Sequence, residues 1–295
     1  MTPDLPGETF TKGNDPDTAV VTAALTGAIT TRDHCPAIPY TPEEIAEEAR
    51  RAEAAGAAVV HVHARTDEGE PTEDPERFQA IADAIAERSD VLINFATGSD
   101  QRATETRAEY LRGVQPDIAA LSMGSVNSAK YSQRRGEFVY ETVFENSTGE
   151  IRELLAAMGE AGVRPELECF NGKHIANARP LLESGDLPEP LQASLIMGGP
   201  AGLQATAGNL VHMVRQLPKT ATWGVIGVGR DQGPRVATAA AMGGNVRVGL
   251  EDNFDTPDGE MVESNADLVE HAVSIVESVG RSPATPAEAR SILGL

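Results

Sequence analysis

Residues 41–65, TPEEIAEEARRAEAAGAAVVHVHAR, contain a capped helix followed directly by a buried strand. Thr41 has the position of an N-cap, Pro42 suits the first helical position, Glu44 completes a capping box and Gly56 ends the helix. The short apolar run after the glycine predicts a strand that is covered on both faces. The segment therefore predicts one helix-strand repeat of an α/β protein.

The same alternation continues along the chain. Eight short apolar runs lie between helical patterns, at residues 19–25, 57–63, 90–96, 117–122, 164–170, 190–197, 222–228 and 245–250. Eight such repeats in about 280 residues are typical of a closed (β/α)8 barrel, and an open doubly wound sheet is the alternative. We predict an α/β fold, a single TIM barrel over residues 19–295 with extra C-terminal helices, preceded by a mobile N-terminal arm over residues 1–18.

The charge balance excludes several function classes. The 295 residues include 45 acidic and 24 basic side chains, a net charge of -21. No basic cluster is available for nucleic acid or for a membrane surface, and no apolar stretch is long enough for a membrane span. The polar, acidic N-terminus does not resemble a signal peptide, so we expect a cytoplasmic protein. The acid excess with only four lysines is typical of halophilic proteins, whose surfaces need salt to screen their self-repulsion.

The segment AAVVHVHAR, residues 57–65, carries the strongest chemical signal. His61 and His63 are two residues apart at the end of a buried strand, so both imidazoles point to the same side. They are either two polar histidines near a loop or two ligands of a divalent ion such as Zn2+. Cys35 and Cys169 are too few for a cysteine-rich metal site, and we interpret them as small buried apolar groups.

A third metal ligand should come from the end of another strand. In GGNVRVGLEDN, residues 243–253, Arg247 and Glu251 share strand parity and Asp252 follows at once. In a barrel the eighth strand lies one strand away from the second, so Glu251 can reach the two histidines. Taken alone, these polar residues could equally form a solvated loop.

Two further segments have weaker signals. In RPELECF, Glu168 ends the fifth run and shares a face with Glu166, so it is either a proton carrier or a surface acid. The glycine-rich stretch 224–234 follows the seventh strand, where barrels often bind phosphate, but Gln232 breaks the GxGxxG pattern. Tight turns explain its glycines equally well.

Together, VVTAALTGA, HVHAR, PELECF, GVGRDQ, GGNVRVGLEDN and SPATPAEARSILGL resemble the β-keto acid cleavage enzymes over residues 19–295. The resemblance implies a zinc-dependent (β/α)8 barrel that forms a homo-oligomer, a dimer or a tetramer. It also implies acyl exchange between a small β-keto acid and acetyl-CoA as co-substrate, which yields acetoacetate and a new acyl-CoA.

The resemblance assigns roles residue by residue. The zinc ligands would be His61, His63 and Glu251, and the catalytic residues would be Arg247, Asp252 and Glu168. The substrate-binding positions would be Thr97, Gly98 and a hydroxyl of LSMGS, where Ser122 is favoured over Ser125.

The residue types fit this chemistry. Zinc polarises the keto oxygen, while Asp252 takes a proton from the neighbouring carbon. We expect Arg247 to lower the pKa of Asp252 and so to weaken it as a base. One departure concerns the substrate: aminohexanoate-cleaving members have a glutamate where this chain has Ile29. An apolar residue offers an ammonium group no partner, so we expect a substrate without that amino group.

Three other functions remain open. A metal-dependent hydrolase would need further histidines on middle strands, whereas His174 lies past the fifth run and His212 in a helical pattern. A metal-dependent aldolase would cleave its substrate without CoA. A non-catalytic protein would bind the metal or CoA without turnover.

Overall fold

A closed barrel of eight parallel strands organises the chain. The computed structural model describes residues 10–98 and 104–295. The barrel strands are β1 Val21–Ala24, β2 Val59–Val62, β3 Leu92–Ala96, β4 Ile118–Ser122, β5 Arg164–Cys169, β6 Gln192–Met197, β7 Thr222–Gly227 and β8 Asn245–Val248. Each strand pairs with the next, and β8 closes the ring on β1 through the pair Val246 and Val21. The predicted (β/α)8 barrel is confirmed.

The helices surround the barrel. In the described residues they are α1 Pro42–Ala54, α2 Pro75–Ala86, α3 Thr104–Val114, α4 Thr148–Ala161, α5 Gly172–Ser184, α6 Ala207–Gln216, α7 Gln232–Ala241, α8 Asn265–Ser278 and α9 Pro286–Leu293. The capping box of α1 forms as predicted between Thr41 and Glu44. Of the two predicted C-terminal helices, α8 completes the eighth repeat and α9 is additional. Leu293 of α9 packs with Val20, Val59 and Leu92 at the amino-terminal end of the barrel.

The predicted N-terminal arm has two parts. Residues 1–9 lie outside the described residues. Residues 10–18 pack against the amino-terminal end of the barrel. There the Asn14 side chain donates hydrogen bonds to the carbonyl oxygens of Trp223 at 2.8 Å and Gly243 at 2.9 Å. Thr18–Ala19 pairs in parallel with Ser282–Pro283. This second half of the segment is therefore part of the packed fold.

An antiparallel hairpin between β4 and α4 was not predicted. Its strands, Val126–Ser132 and Glu137–Phe144, leave Tyr131 52% and Phe138 56% exposed. Most of both strands faces solvent, so the sequence lacks the apolar alternation of a strand with one buried face. The hairpin projects from the carboxyl-terminal end of the barrel, where its last residues approach the loop after β3.

Two smaller expectations can be compared with the structure. Cys35 and Cys169 are buried free thiols, as predicted. Among the described residues, we find no helix with the length and apolar character that crossing a membrane requires.

Candidate active site

His61, His63 and Glu251 converge at the carboxyl-terminal end of the barrel. The Nε2 atom of His61 lies 3.5 Å from Oε2 of Glu251, and Nε2 of His63 lies 3.5 Å from Oε1. Their nearest ligand atoms all lie within 4.8 Å of one another. Nε2 of His61 and Oε2 of Glu251 are buried without a hydrogen-bond partner in the described structure. Two imidazole nitrogens and a carboxylate oxygen are a donor set that suits Zn2+, so these residues fit a metal.

The charges keep these ligands in the state a metal needs. Burial and the nearby Arg247 lower the pKa of His61 well below its usual value, so its imidazole is neutral. Burial acts to raise the pKa of Glu251, but Arg247 and the two histidines outweigh it and hold that pKa well below its usual range. A neutral imidazole and an ionised carboxylate both offer lone pairs to a cation.

The loop after β1 packs closely against the side chain of Glu251. Gly27 has a left-handed backbone with φ 67°, and a Cβ there would lie 2.8 Å from Cγ of Glu251. The buried Arg65 holds this loop by donating to the carbonyl oxygen of Gly27 at 2.9 and 2.5 Å and to that of Thr30 at 2.6 Å. No role was predicted from the sequence for Arg65 or Gly27. The available signal was an arginine two residues after His63, at the end of a buried strand.

Arg247 stands among three carboxylates. Its Nε lies 2.9 Å from Oδ2 of Asp252, its Nη2 lies 2.6 Å from Oε1 of Glu251, and its Nη1 lies 3.7 Å from Oε1 of Glu168. The guanidinium side chain is only 5% exposed. The structure therefore brings together the three residues that we predicted as catalytic.

The pKa of Asp252 differs from our expectation. Burial and the neighbouring Glu251 raise it to about 6, although Arg247 acts in the opposite direction. The prediction of a lowered pKa was wrong because it considered the cation without the loss of water. Burial also raises the pKa of Glu168 to about 8 against the influence of Arg247. At neutral pH Asp252 can accept a proton and Glu168 can donate one.

The four predicted substrate-binding residues lie at the ends of β3 and β4: Thr97 and Gly98 follow β3, Ser122 ends β4 and Ser125 lies beyond it. The Thr97 hydroxyl donates to the carbonyl oxygen of Ala120, and a Cβ at Gly98 would lie 2.9 Å from the Phe144 ring. The Ser122 hydroxyl is buried and donates to the carbonyl oxygen of Gly124 at 3.1 Å. The fourth residue is Ser125.

Ser122 and Ser125 occupy different environments. Ser122 is buried and pairs in register with Glu168. Ser125 is exposed, and its hydroxyl accepts a hydrogen bond of 3.0 Å from the backbone N–H of Asn146. The two serines therefore differ in burial and in their neighbours.

Other polar segments take supporting positions. In the glycine-rich segment the backbone N–H of Gly229 donates to the carbonyl oxygen of Asp252 at 2.8 Å, so this turn supports the loop that carries Asp252. His174 on α5 and His212 on α6 are not part of the described ligand cluster. Asn94 on β3 was also missed, although it is a polar residue in the apolar run LINFA.

Comparisons with known proteins agree with this geometry. The family model of the beta-keto acid cleavage enzyme matches residues 18–295. The chain is 39% identical over 277 residues to the 3-keto-5-aminohexanoate cleavage enzyme of Fusobacterium nucleatum subsp. nucleatum, covering 94% of this chain and 97% of that protein. It is 35% identical over 295 aligned positions to the 3,5-dioxohexanoate:acetyl-CoA acetone transferase of Paraburkholderia graminis, covering 94% and 95%.

A solved structure is similar in fold. The ternary complex of ObcA with a C4-CoA adduct and oxalate superimposes with a TM-score of 0.75 at 21% identity, covering 88% of this chain and 68% of that one. At this identity the similarity concerns the barrel alone. The family match spans the end of β2, where His61 and His63 lie, and the loop after β8, which carries Glu251 and Asp252. This chain belongs to the beta-keto acid cleavage enzyme family.

Proposed function

We propose that this enzyme is a zinc-dependent acyltransferase that condenses a β-keto acid with acetyl-CoA and releases acetoacetate and a new acyl-CoA. The observation that carries the proposal is the meeting of His61, His63 and Glu251 with the Arg247–Asp252 pair at one end of the barrel. The name of the Paraburkholderia relative also couples a 3-oxo acid to acetyl-CoA.

The residues have complementary tasks. Zinc, held by His61, His63 and Glu251, would supply a Lewis acid that polarises the keto group. Asp252 takes the proton from the carbon between the keto group and the carboxylate, and Arg247 holds Asp252 in place at 2.9 Å.

Carbon–carbon bond formation and cleavage follow proton removal. The deprotonated carbon attacks the thioester carbonyl, forming one carbon–carbon bond and releasing CoA as the thiolate. During this attack the thioester carbonyl oxygen gains negative charge. Glu168, whose pKa is raised to about 8 by burial, donates a hydrogen bond to that oxygen. The thiolate then attacks the original keto carbon, and cleavage of its bond to the central carbon yields the new acyl-CoA. The carbon fragment takes back one proton to complete acetoacetate.

The test combines metal analysis with an acetoacetate assay on protein kept in high salt. Wild type, His61→Ala and the control His212→Ala, which alters an exposed histidine on α6, are compared. We expect one zinc per chain and CoA-dependent acetoacetate formation in wild type and in the control, and loss of both in His61→Ala. A metal-free wild type, or zinc with cleavage that ignores CoA, contradicts the proposal and favours a hydrolase or an aldolase.

We further propose a β-keto acid without an amino group as the substrate. Ile29 follows the loop residue Gly27 and is 83% exposed, so it offers an ammonium group no charged partner. We expect faster turnover of 3-ketohexanoate than of 3-keto-5-aminohexanoate. Ile29→Glu should shift this ratio toward the amine, whereas Val279→Glu, which adds the same charge after α8, should not. Equal turnover of both acids by wild type contradicts this substrate class.

The expected homo-oligomer, a dimer or a tetramer, is also part of the proposal. The exposed Tyr131 and Phe138 of the hairpin provide apolar surface that a second copy could cover. Analytical ultracentrifugation in high salt tests this expectation, and a single species at the monomer mass contradicts it.

A further inference from the structure

Three buried polar side chains lie beside the ligand cluster without a role in the chemistry above. Asn94 on β3, Glu166 on β5 and Ser194 on β6 are 1%, 4% and 6% exposed. Nδ2 of Asn94 donates to Oε2 of Glu166, and the Ser194 hydroxyl donates to Oε1 of Glu166 at 2.5 Å. Each carboxylate oxygen of Glu166 therefore has its own donor, one from β3, which lies two strands away, and one from the adjacent β6.

This arrangement fixes the direction of the Asn94 amide. Carboxylate oxygens accept hydrogen bonds and do not donate them, so the NH2 group of Asn94 must face Glu166. The carbonyl oxygen Oδ1 then faces away, and it is buried without a hydrogen-bond partner in the part of the chain that the structure describes. A buried carbonyl oxygen that accepts no hydrogen bond lowers the stability of the folded state. We therefore expect a donor near Oδ1 of Asn94.

The missing donor is available on the adjacent strand. His61 and Asn94 are paired in register between β2 and β3. Nε2 of His61 faces Glu251, which leaves Nδ1, and this atom is likewise buried without a partner among the described residues. Burial, the largest influence, lowers the pKa of His61, whereas Asn94 acts to raise it, as an acceptor beside an imidazole N–H does.

We propose that Asn94 is a positioning residue for His61. Its Oδ1 accepts a hydrogen bond from the Nδ1–H of the imidazole, and Glu166 orients the Asn94 amide so that Oδ1 faces His61. A histidine that binds a metal through Nε2 carries its proton on Nδ1, and an acceptor for that proton fixes both the tautomer and the ring orientation. The inference rests on the proposed metal site. It adds to that site a chain of hydrogen bonds from His61 on β2 through Asn94 on β3 to Glu166 on β5.

Three variants separate this role from general packing. Asn94→Leu keeps the branched shape of the side chain without its polar atoms, and we expect zinc affinity to fall about 10- to 100-fold. Asn94→Asp alone places two carboxylates against each other. The double variant Asn94→Asp with Glu166→Gln reverses the direction of their hydrogen bond but keeps an acceptor toward His61, so we expect it to restore affinity.

A control variant accounts for damage to the barrel. Asn245 is 8% exposed, and its Oδ1 accepts from the backbone N–H of Val20 at 2.9 Å, at the opposite end of the barrel. Asn245→Leu removes a buried asparagine of the same kind, and we expect it to reduce stability without changing zinc affinity.

The measurements are the zinc dissociation constant, by competition with a chromophoric chelator, and the Nδ1–H signal of His61 in nitrogen-15 NMR spectra of the zinc-loaded protein. We expect a slowly exchanging signal in wild type, its loss in Asn94→Leu and its return in the double variant. Wild-type affinity in Asn94→Leu overturns the inference. If that variant does not fold, the double variant decides, because affinity as weak as in Asn94→Asp overturns it. A wild type that binds no zinc refutes the metal site itself, which is a distinguishable result.

Discussion

Arg65 donates two hydrogen bonds, 2.9 and 2.5 Å long, to the backbone carbonyl oxygen of Gly27. Gly27 in turn lies so close to Glu251 that its position has no room for a side chain. The arginine of HVHAR therefore holds the loop that supports the third ligand candidate, although it does not belong to the ligand cluster.

Gly27→Ala tests this support. A left-handed alanine costs about 1 to 2 kcal/mol of stability, and here its Cβ would also push Glu251 away. Gly162→Ala is the matched control, because Gly162 has φ 72° and nothing within 4 Å of its Cβ position. We expect chemical denaturation to show a loss of stability in both variants and chelator competition to show weaker zinc binding only in Gly27→Ala. Equal zinc affinity in the two variants contradicts the role of Gly27.

Arg247→Lys is expected to reduce turnover by about 100-fold. Lysine keeps the charge but cannot hold Asp252, Glu251 and Glu168 with a planar fork, so Asp252 loses its orientation. Arg230→Lys is the control, since Arg230 pairs with Asp255 at 3.1 Å while 76% exposed. Steady-state kinetics on both variants give the comparison. Similar turnover in Arg247→Lys and wild type would show that the charge alone suffices.

The stability of the metal-free protein should depend on Glu168. Its folded pKa of about 8 exceeds the ordinary value of 4.5, so the folded state binds this proton more tightly than the unfolded state does. The resulting stability is fully present below pH 4.5 and is lost as pH rises through 8. Glu168→Gln stays neutral, so we expect it to gain stability relative to wild type between these values.

Urea unfolding of both proteins at several pH values between about 5 and 9 measures this difference. Parallel stability curves for wild type and Glu168→Gln over that window would show that the pKa of Glu168 is not raised by the fold.

Zinc removal should destabilise the wild type. A ligand that binds only the folded state adds about 4 kcal/mol when its concentration is 1,000 times its dissociation constant. Thermal unfolding with and without a chelator measures the effect, and His61→Ala should show almost no response to the chelator. An unchanged melting temperature in wild type would be the contrary result.

Folding should require salt. With a net charge of -21, the excess carboxylates repel one another at low ionic strength. Salt shortens the range of that repulsion to about 3 Å at 1 M. Circular dichroism during dialysis from about 2 M to about 0.05 M potassium chloride should show loss of helical signal. Equal stability in both solutions would refute the halophilic interpretation.

Much of the architecture and of the candidate site was accessible from local patterns. Thr41 and Glu44 form the predicted capping box, and the common parity of His61 and His63 already predicts that both imidazoles lie on the same side of the strand. These features depend on residues within one helix turn or one strand, where backbone geometry alone sets the outcome.

Only the tertiary structure decided how distant segments meet. Barrel closure brings Glu251 to His61 and Asn94 to Glu166, and it buries Asp252 deeply enough to raise its pKa to about 6 despite Arg247. Neither the depth of a side chain nor the sum of charges around it can be obtained from spacing along the chain. Sequence alone therefore determined the repeat, the strand parity and the residue types. The three-dimensional fold determined their protonation and mutual support, because desolvation and Coulomb energies depend on distances between residues far apart in sequence.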